Sequence, residues 1–223
     1  MDFGTVRDVG IMGRVGQQMH QEIGGFMPAA LNKQGALIIQ DQILEWAMLG
    51  RTFHAQQGDA GTLVDFAETA YDEDQPQFAL RVPTGKIAIP LSLILTFQDQ
   101  AGTDNHVVWS TTTNDIGDGT STAATISAMR RDAPHSSGCT ARSLYTANAT
   151  AATGLIEIAR FLDPFVAAAG SMSPKEWNIR LAAAIPILVG PATLQMHVFG
   201  SAAPAGFGEY VWAEFDTPAL VSL

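Results

Sequence analysis

The chain has 223 residues, of which 47% are hydrophobic and only 15% are charged, and its formal net charge is −10. This composition excludes an intrinsically disordered protein, and the single cysteine excludes an intrachain disulfide, a multi-cysteine zinc module and a CxxC redox motif. The longest apolar runs are too short, or too broken by proline, to cross a bilayer, which takes about 20 residues. A chain of this length forms one or at most two domains and needs no disulfide to fold.

Positive charge is scarce and unevenly placed. The chain has three lysines, and residues 87–129 contain neither lysine nor arginine. The first 40 residues hold three basic and three acidic side chains, so they form no basic arm. Because nucleic-acid affinity rests on Lys and Arg that neutralise phosphates, we expect no nucleic acid as a direct partner. A surface this poor in charge is typical of a chain that packs against copies of itself, although an acidic soluble domain can share this composition.

The first part of the chain is rich in glycine. Residues 1–35 contain seven glycines and predict an extended or loosely helical arm, since each glycine inside a helix costs about 1 kcal/mol relative to alanine. We therefore divide the chain into this arm and a single domain over residues 36–223. Residues 36–57 are ambiguous, because apolar pairs recur at helical spacing while β-branched and aromatic residues favour strands.

Short strands then follow one another, separated by glycine, proline and aspartate. The predicted strands span 62–66, 78–82, 87–97, 106–111, 125–130, 142–145, 154–161, 177–181, 194–199 and 209–215. Pro90 marks a break or a bulge in the longest of them. Residues 173–185 leave a choice between a helix that begins near Pro174 and a strand, and the alternation around Trp177 favours the strand.

These elements predict an all-β fold. Short strands at spacings of about 8–15 residues are typical of an antiparallel β-sandwich, and we expect a single jelly roll. The absence of long alternating helices argues against a doubly wound α/β fold. No internal repeat of fixed period is present, which argues against a solenoid or a propeller.

Four aspartates in two loops are the strongest candidate for a metal site. Asp99 and Asp104 border one glycine-containing loop, and Asp115 and Asp118 lie in the next, with no basic residue near them in the sequence. Hard cations prefer several oxygen ligands on a bendable backbone, so calcium is the predicted metal. The spacing is not that of an EF-hand, and the alternative is a solvated acidic loop. No other cofactor is expected.

Residues suited to catalysis form no recognisable signature. The five histidines are dispersed, and the chain contains neither HExxH nor GxSxG. His135 precedes Cys139 by four residues, and such a pair can form a thiolate nucleophile, but no further residue supports that role. The four tryptophans are spread along the chain, which favours core or interface anchors over a sugar-stacking platform. The sequence therefore predicts a protein that is not an enzyme.

The order of several segments resembles that of a known class of protein. After the glycine-rich arm come LEWAMLGRTFHAQ at 44–56, AGTLV at 60–64, FALRVPTGK at 78–86 and WAEF at 212–215. This layout resembles that of β-rich virion proteins of bacteriophages, in particular jelly-roll coat proteins and small capsid-associated proteins. The resemblance implies a capsid subunit, assembled in the host cytoplasm into a virion, whose partners are copies of itself and other virion proteins. The missing basic arm departs from coat proteins that bind the genome through their N-terminus.

Two functions therefore compete. The first is a structural virion protein that assembles into an oligomeric shell. The second is a soluble β-sandwich that binds a ligand such as a carbohydrate, with calcium held by the four aspartates. The assembly state and the response of the melting temperature to calcium distinguish them.

Overall fold

The computed structural model describes residues 42–58, 61–66, 70–99, 104–163, 174–182, 185–200 and 205–217. Over these ranges the chain is mostly β-strand with one short helix, and two antiparallel sheets pack against each other, which confirms the all-β sandwich. The predicted arm over residues 1–35 lies outside the described residues. The described residues belong to two compact units, one up to Glu45 and one from Trp46 onwards that carries both sheets.

Helix α1 spans Gln42–Met48. Thirteen strands follow it in the described part of the chain: β1 (Thr52–Gln57), β2 (Val64–Asp65), β3 (Phe78–Val82), β4 (Lys86–Asp99), β5 (Asn105–Thr112), β6 (Thr120–Ala123), β7 (Ile126–Ala128), β8 (Thr140–Ala147), β9 (Ile156–Asp163), β10 (Lys175–Asn178), β11 (Leu188–Val189), β12 (Ala192–Gly200) and β13 (Ala205–Asp216). The ambiguous residues 36–57 thus contain a helix and then a strand within their described part. Strand β10 confirms a strand rather than a helix around Trp177, but the predicted continuation to residue 181 is wrong, because residues 179–181 form a turn.

The pairing of the strands is almost entirely non-local. The seven-stranded sheet has the order β10–β4–β13–β1–β7, with β11 also paired to β4 and β2 to β13. The six-stranded sheet has the order β6–β8–β3–β12–β5–β9. Early strands therefore pair with late ones: β1 with β13, β3 with β12 and β4 with β10.

The strand boundaries differ from the predicted ones in a few places. Strand β4 continues through Pro90, and its pairing with β13 skips a residue there, since Val211 pairs with Ser92 and Trp212 with Pro90. The predicted bulge is therefore confirmed. Strands β6 and β11 were not predicted, because Thr-Ser-Thr-Ala has no large apolar side chain to alternate and Leu-Val is too short to show a period.

The core lies between the two sheets. Phe78 and Trp109 of the six-stranded sheet pack in one cluster with Tyr210 and Trp212 of the seven-stranded sheet. The rings of Phe78 and Tyr210 stack with 3.5 Å between their centroids. Trp177 is buried in the same cluster, so the interpretation of the tryptophans as core anchors is confirmed for three of the four. Aromatic side chains of this size contribute most to the burial of apolar surface.

The outer face of the six-stranded sheet is covered by loops. Ala79, Ile116 and Tyr145 form a second, small apolar cluster there. Tyr145 reaches this face because Leu144, with φ of 53°, adopts the left-handed conformation and interrupts the alternation of β8. Both faces of this sheet are therefore buried.

Candidate functional site

The structure separates the four predicted aspartates into two pairs. Asp99 ends β4 and Asp104 immediately precedes β5, whereas Asp115 and Asp118 follow the opposite end of β5. Since β5 is eight residues long, the pairs lie about 25 Å apart. One calcium ion, whose ligands lie at about 2.3–2.6 Å, cannot contact all four.

Asp115 and Asp118 share a basic partner. Arg81 of β3 donates from Nε and Nη2 to the two carboxylate oxygens of Asp115, at 2.5 and 2.7 Å, and from Nη1 to Asp118. Arg142 Nη1 lies 3.6 Å from Asp118. No basic residue lies near these aspartates in the sequence, but the fold places Arg81 and Arg142 beside them.

This ion pair is not apparent from the sequence, because Arg81 and Asp115 lie 34 positions apart. They meet because Arg81 of β3 and Thr112 of β5 both pair with Thr193 of β12, which brings the loop after β5 next to β3. The hydrogen bond from Arg81 lowers the pKa of Asp115, so its carboxylate is ionised and already faces a positive charge.

The remaining contacts of the Asp115 loop are internal. Gly117 N donates to Asp115 Oδ1 at 2.9 Å, and the Tyr145 hydroxyl donates to the Gly117 carbonyl at 3.1 Å. Among the described residues, no group of three or more His, Cys, Asp or Glu side chains could hold a metal ion. The geometry of Asp115 and Asp118 is that of a loop fixed to β3 by Arg81.

Cys139 is poorly suited to nucleophilic catalysis. Burial raises the pKa of its thiol, and the nearby Glu214 carboxylate raises it further. The thiolate is the reactive form, so these surroundings oppose activation. His135 packs over Gly50, where a Cβ would lie 2.5 Å from the imidazole Cδ2.

Glu214 of β13 anchors the loop between β7 and β8. Its carboxylate, with the residue 7% exposed, accepts hydrogen bonds from Trp212 Nε1 at 2.8 Å, from Gly138 N at 2.8 Å and from the Ser137 hydroxyl. Three donors satisfy a buried carboxylate, and two of them belong to the loop. Glu214 therefore fixes the loop to the central strand β13 of the seven-stranded sheet.

Exposed apolar side chains gather at the two edges of this sheet. The described residues include eleven exposed large hydrophobic side chains, and eight of them fall into two groups. The first group, called the β11 patch, is 49–85% exposed and consists of Ile156, Leu181, Ile185, Ile187 and Val189. The second group, called the β7 patch, is 42–58% exposed and consists of Met48, Leu49 and Met129.

The β11 patch surrounds a cleft. A cavity of about 740 Å³ opens between the sheets and is lined by Ile156 and Ile158 of β9, Trp177 of β10 and Leu188 of β11. The sequence signal for this surface is the apolar run at 181–189, which Pro186 interrupts so that only Leu188 and Val189 form a strand. This edge of the sandwich is therefore concave and apolar.

The β7 patch lies where the chain leaves strand β7. Met129 N donates to the Thr52 carbonyl at 3.0 Å, and Arg130 Nη1 donates to the Met48 carbonyl at 2.9 Å. These bonds hold the end of α1 beside the start of the β7–β8 loop. The three apolar side chains of the patch therefore lie on two joined segments at one corner of the sheet.

No protein-family model, curated protein or solved structure matches this chain. In the described part of the chain, no helix is long and apolar enough to span a membrane. The functional interpretation therefore rests on the strand topology and on the two apolar patches.

Proposed function

We propose that the chain is a structural virion protein, a jelly-roll coat subunit whose copies assemble into a shell. The observation that carries this proposal is the strand pairing. Apart from the short β2 and β11 and the β6–β8 insertion, eight strands remain: β1, β3, β4, β5, β9, β10, β12 and β13. Numbered one to eight in chain order, they pair first with eighth, second with seventh, third with sixth and fourth with fifth.

A long hairpin of paired strands that wraps around a barrel produces this pairing. The third strand then also meets the eighth, and the fourth meets the seventh, as β4 does with β13 and β5 with β12. This pairing supports an arrangement of two Greek keys, the jelly roll, which occurs in viral capsid domains, lectins and cupins. Topology alone does not select among these functions.

Of these functions, the exposed apolar surface favours assembly into a capsid. Exposed apolar patches commonly mark protein–protein contacts, and here a second patch, the β7 patch, lies at the opposite edge of the seven-stranded sheet from the cleft. A subunit of a closed shell needs contacts on more than one side, because each copy has several neighbours. The partners of this chain are then its own copies and other virion proteins, its location is the virion, and its role requires no catalysis.

The test is the assembly state of the purified chain. We expect light scattering after size-exclusion chromatography to give a uniform oligomer, and electron microscopy to show rings or closed particles. The loop aspartates take no part in this role, so calcium or EDTA should leave the size unchanged. A monomer at every concentration up to the solubility limit would contradict the proposal.

A further inference from the structure

We propose that residues 71–75, called the 71–75 loop, form a pH-dependent cover over the outer face of the six-stranded sheet. Protonation of His197, which lies beneath this loop, detaches the loop while the two sheets stay folded. The inference goes beyond the proposed function and does not depend on assembly.

His197 of β12 lies directly under the 71–75 loop. Its neighbours Met196 and Val198 belong to the core between the sheets, so His197 points to the outer face, where it is 2% exposed. The Tyr71 ring lies 4.9 Å from the imidazole and 5.7 Å from the Phe199 ring, measured between centroids. Tyr71 is itself 43% exposed. One half-exposed ring therefore covers a buried imidazole.

The hydrogen bonds of the 71–75 loop lie mostly within it. The two carboxylate oxygens of Asp72 accept from Asp74 N at 2.9 Å and from Gln75 Nε2 at 2.8 Å, and the Asp72 carbonyl accepts from Gln75 N at 3.2 Å. Asn148 Nδ2, after β8, donates to the Glu73 carbonyl at 3.2 Å and to Asp74 Oδ1 at 3.3 Å. A segment that is bonded to itself and attached to the sheet by longer bonds can open locally.

Acid favours the open form of the loop. With the loop closed, burial lowers the pKa of His197 from 6.5 to about 4, and Asp72, which favours the charged imidazole, offsets only part of this shift. In the open form water reaches the ring, so its pKa returns towards the ordinary value. The open form therefore binds the proton more tightly, and a change from pH 7.5 to pH 5 raises the ratio of open to closed molecules about 30-fold.

Other titratable and charged groups surround His197 on three elements. They are Tyr71, Asp72 and Glu73 on the 71–75 loop, Glu157 and Arg160 on β9, and His106 on β5. Glu157 and Arg160 form an ion pair with each other, so their charges largely cancel at His197. His106 stacks on Phe199 with 5.0 Å between the ring centroids. It is the second imidazole on this face and therefore serves as the control.

The test places a reporter thiol beside His197. Val108 of β5 pairs with His197 and is 2% exposed, so Val108→Cys introduces a thiol that the closed loop protects. Cys139, 6% exposed in the core cluster, reports global unfolding in the same sample. Pulses of a methanethiosulfonate reagent, followed by peptide mass spectrometry, give the labelling rate of each thiol. Each rate is divided by the rate of the same thiol in the urea-unfolded chain at the same pH.

We expect the thiol at position 108 to be labelled about tenfold faster than Cys139, or more, because local opening precedes global unfolding. Its rate should rise about 30-fold from pH 7.5 to pH 5. His197→Gln should abolish this rise, and the matched control His106→Gln should preserve it.

Circular dichroism establishes that each variant is folded, and Ser110→Cys, at a position 0% exposed on the same face, replaces the reporter if Val108→Cys unfolds. Equal rates for the two thiols would overturn the proposal, because the face would then be uncovered only by global unfolding. A rate that does not change with pH, or a rise that persists in His197→Gln, would overturn it as well.

Discussion

At the centre of the six-stranded sheet both faces are buried, but the two faces differ in chemistry. The inner face presents Leu80 and Met196 to the other sheet, at 0% and 1% exposure. The outer face buries Ser110, Gln195 and His197 under loops, at 0%, 0% and 2% exposure. The hydroxyl of Ser110 and both amide atoms of Gln195 have no hydrogen-bond partner in the described part of the chain.

Burial therefore affects the stability of the fold differently on the two faces. Full burial of an apolar side chain contributes about 1.5–3 kcal/mol to the free energy of unfolding. A buried polar group without a partner costs about 1–3 kcal/mol, because it loses its hydrogen bonds to water. The inner face therefore stabilises the fold, and the polar positions of the outer face oppose it.

The largest effect is expected on the inner face. Replacing Phe78 by alanine removes the ring that stacks on Tyr210 and leaves a cavity between the sheets, so we expect a loss of about 3–5 kcal/mol in the free energy of unfolding. Urea denaturation measures it. Leu162→Ala, at a position that is 50% exposed and outside both apolar patches, is the control and should change stability by less than about 0.5 kcal/mol. Similar losses for both variants would mean that Phe78 is not part of a packed core.

The next largest effect is expected in the pH dependence of stability, at His197 on the outer face. Burial lowers the pKa of His197 from its usual 6.5 to about 4, and Asp72 offsets only part of this shift. The unfolded chain therefore takes up the proton first, so the contribution of His197 is fully present above pH 6.5 and is lost as the pH falls towards 4. The loss is worth about 3 kcal/mol, since one pKa unit corresponds to about 1.4 kcal/mol.

Thermal melts of the wild type and of His197→Gln between pH 7.5 and 4 measure this contribution as a difference. The glutamine variant does not titrate in this range, so its stability should fall less steeply with acid. Parallel curves for the two proteins would show that the imidazole is not protonated on unfolding.

Two buried glutamines, Gln57 and Gln195, differ in whether their amide groups are hydrogen-bonded. Gln57 on β1 is satisfied, because its Nε2 donates to the Gln77 carbonyl at 2.7 Å and its Oε1 accepts from the Tyr210 hydroxyl at 3.1 Å. Gln57→Met removes two buried hydrogen bonds, each worth about 1 kcal/mol, so we expect a loss of about 2 kcal/mol in the free energy of unfolding. The Gln77 carbonyl then still accepts from Leu144 N, and the Tyr210 hydroxyl still contacts Met196 Sδ. Chemical denaturation gives the value, and an unchanged midpoint would contradict these hydrogen bonds.

The smallest effect has the opposite sign. Gln195 is fully buried, and neither of its amide atoms has a partner in the described part of the chain. Gln195→Met keeps the length of the side chain and removes the unsatisfied groups, so we expect a gain of about 1 kcal/mol in the same assay. A loss as large as that of Gln57→Met would mean that Gln195 is hydrogen-bonded in solution.

The sequence alone specified the fold class and most strands. The alternation of residues such as Phe78, Leu80 and Val82 is a local property, and so is the turn at Pro83–Lys86. Strands β6 and β11 could not be predicted, because β6 is short and polar and β11 has only two residues, so neither shows a periodic pattern of apolar residues. The helix at 42–48 could not be chosen over a strand, since apolar residues there satisfy both periods.

The candidate sites depended on the tertiary structure. Asp115 faces Arg81, rather than solvent or calcium, because of a strand that lies 34 residues away in the sequence. No short segment of the sequence indicates which antiparallel strands will pair. The same holds for the β7 and β11 patches, which only the strand order places near opposite edges of the seven-stranded sheet. Low charge and an apolar, strand-forming composition thus determined what kind of domain this chain is. Only the packing of the sheets decided which apolar side chains are covered and which stay exposed, because burial depends on partners that are distant in the sequence.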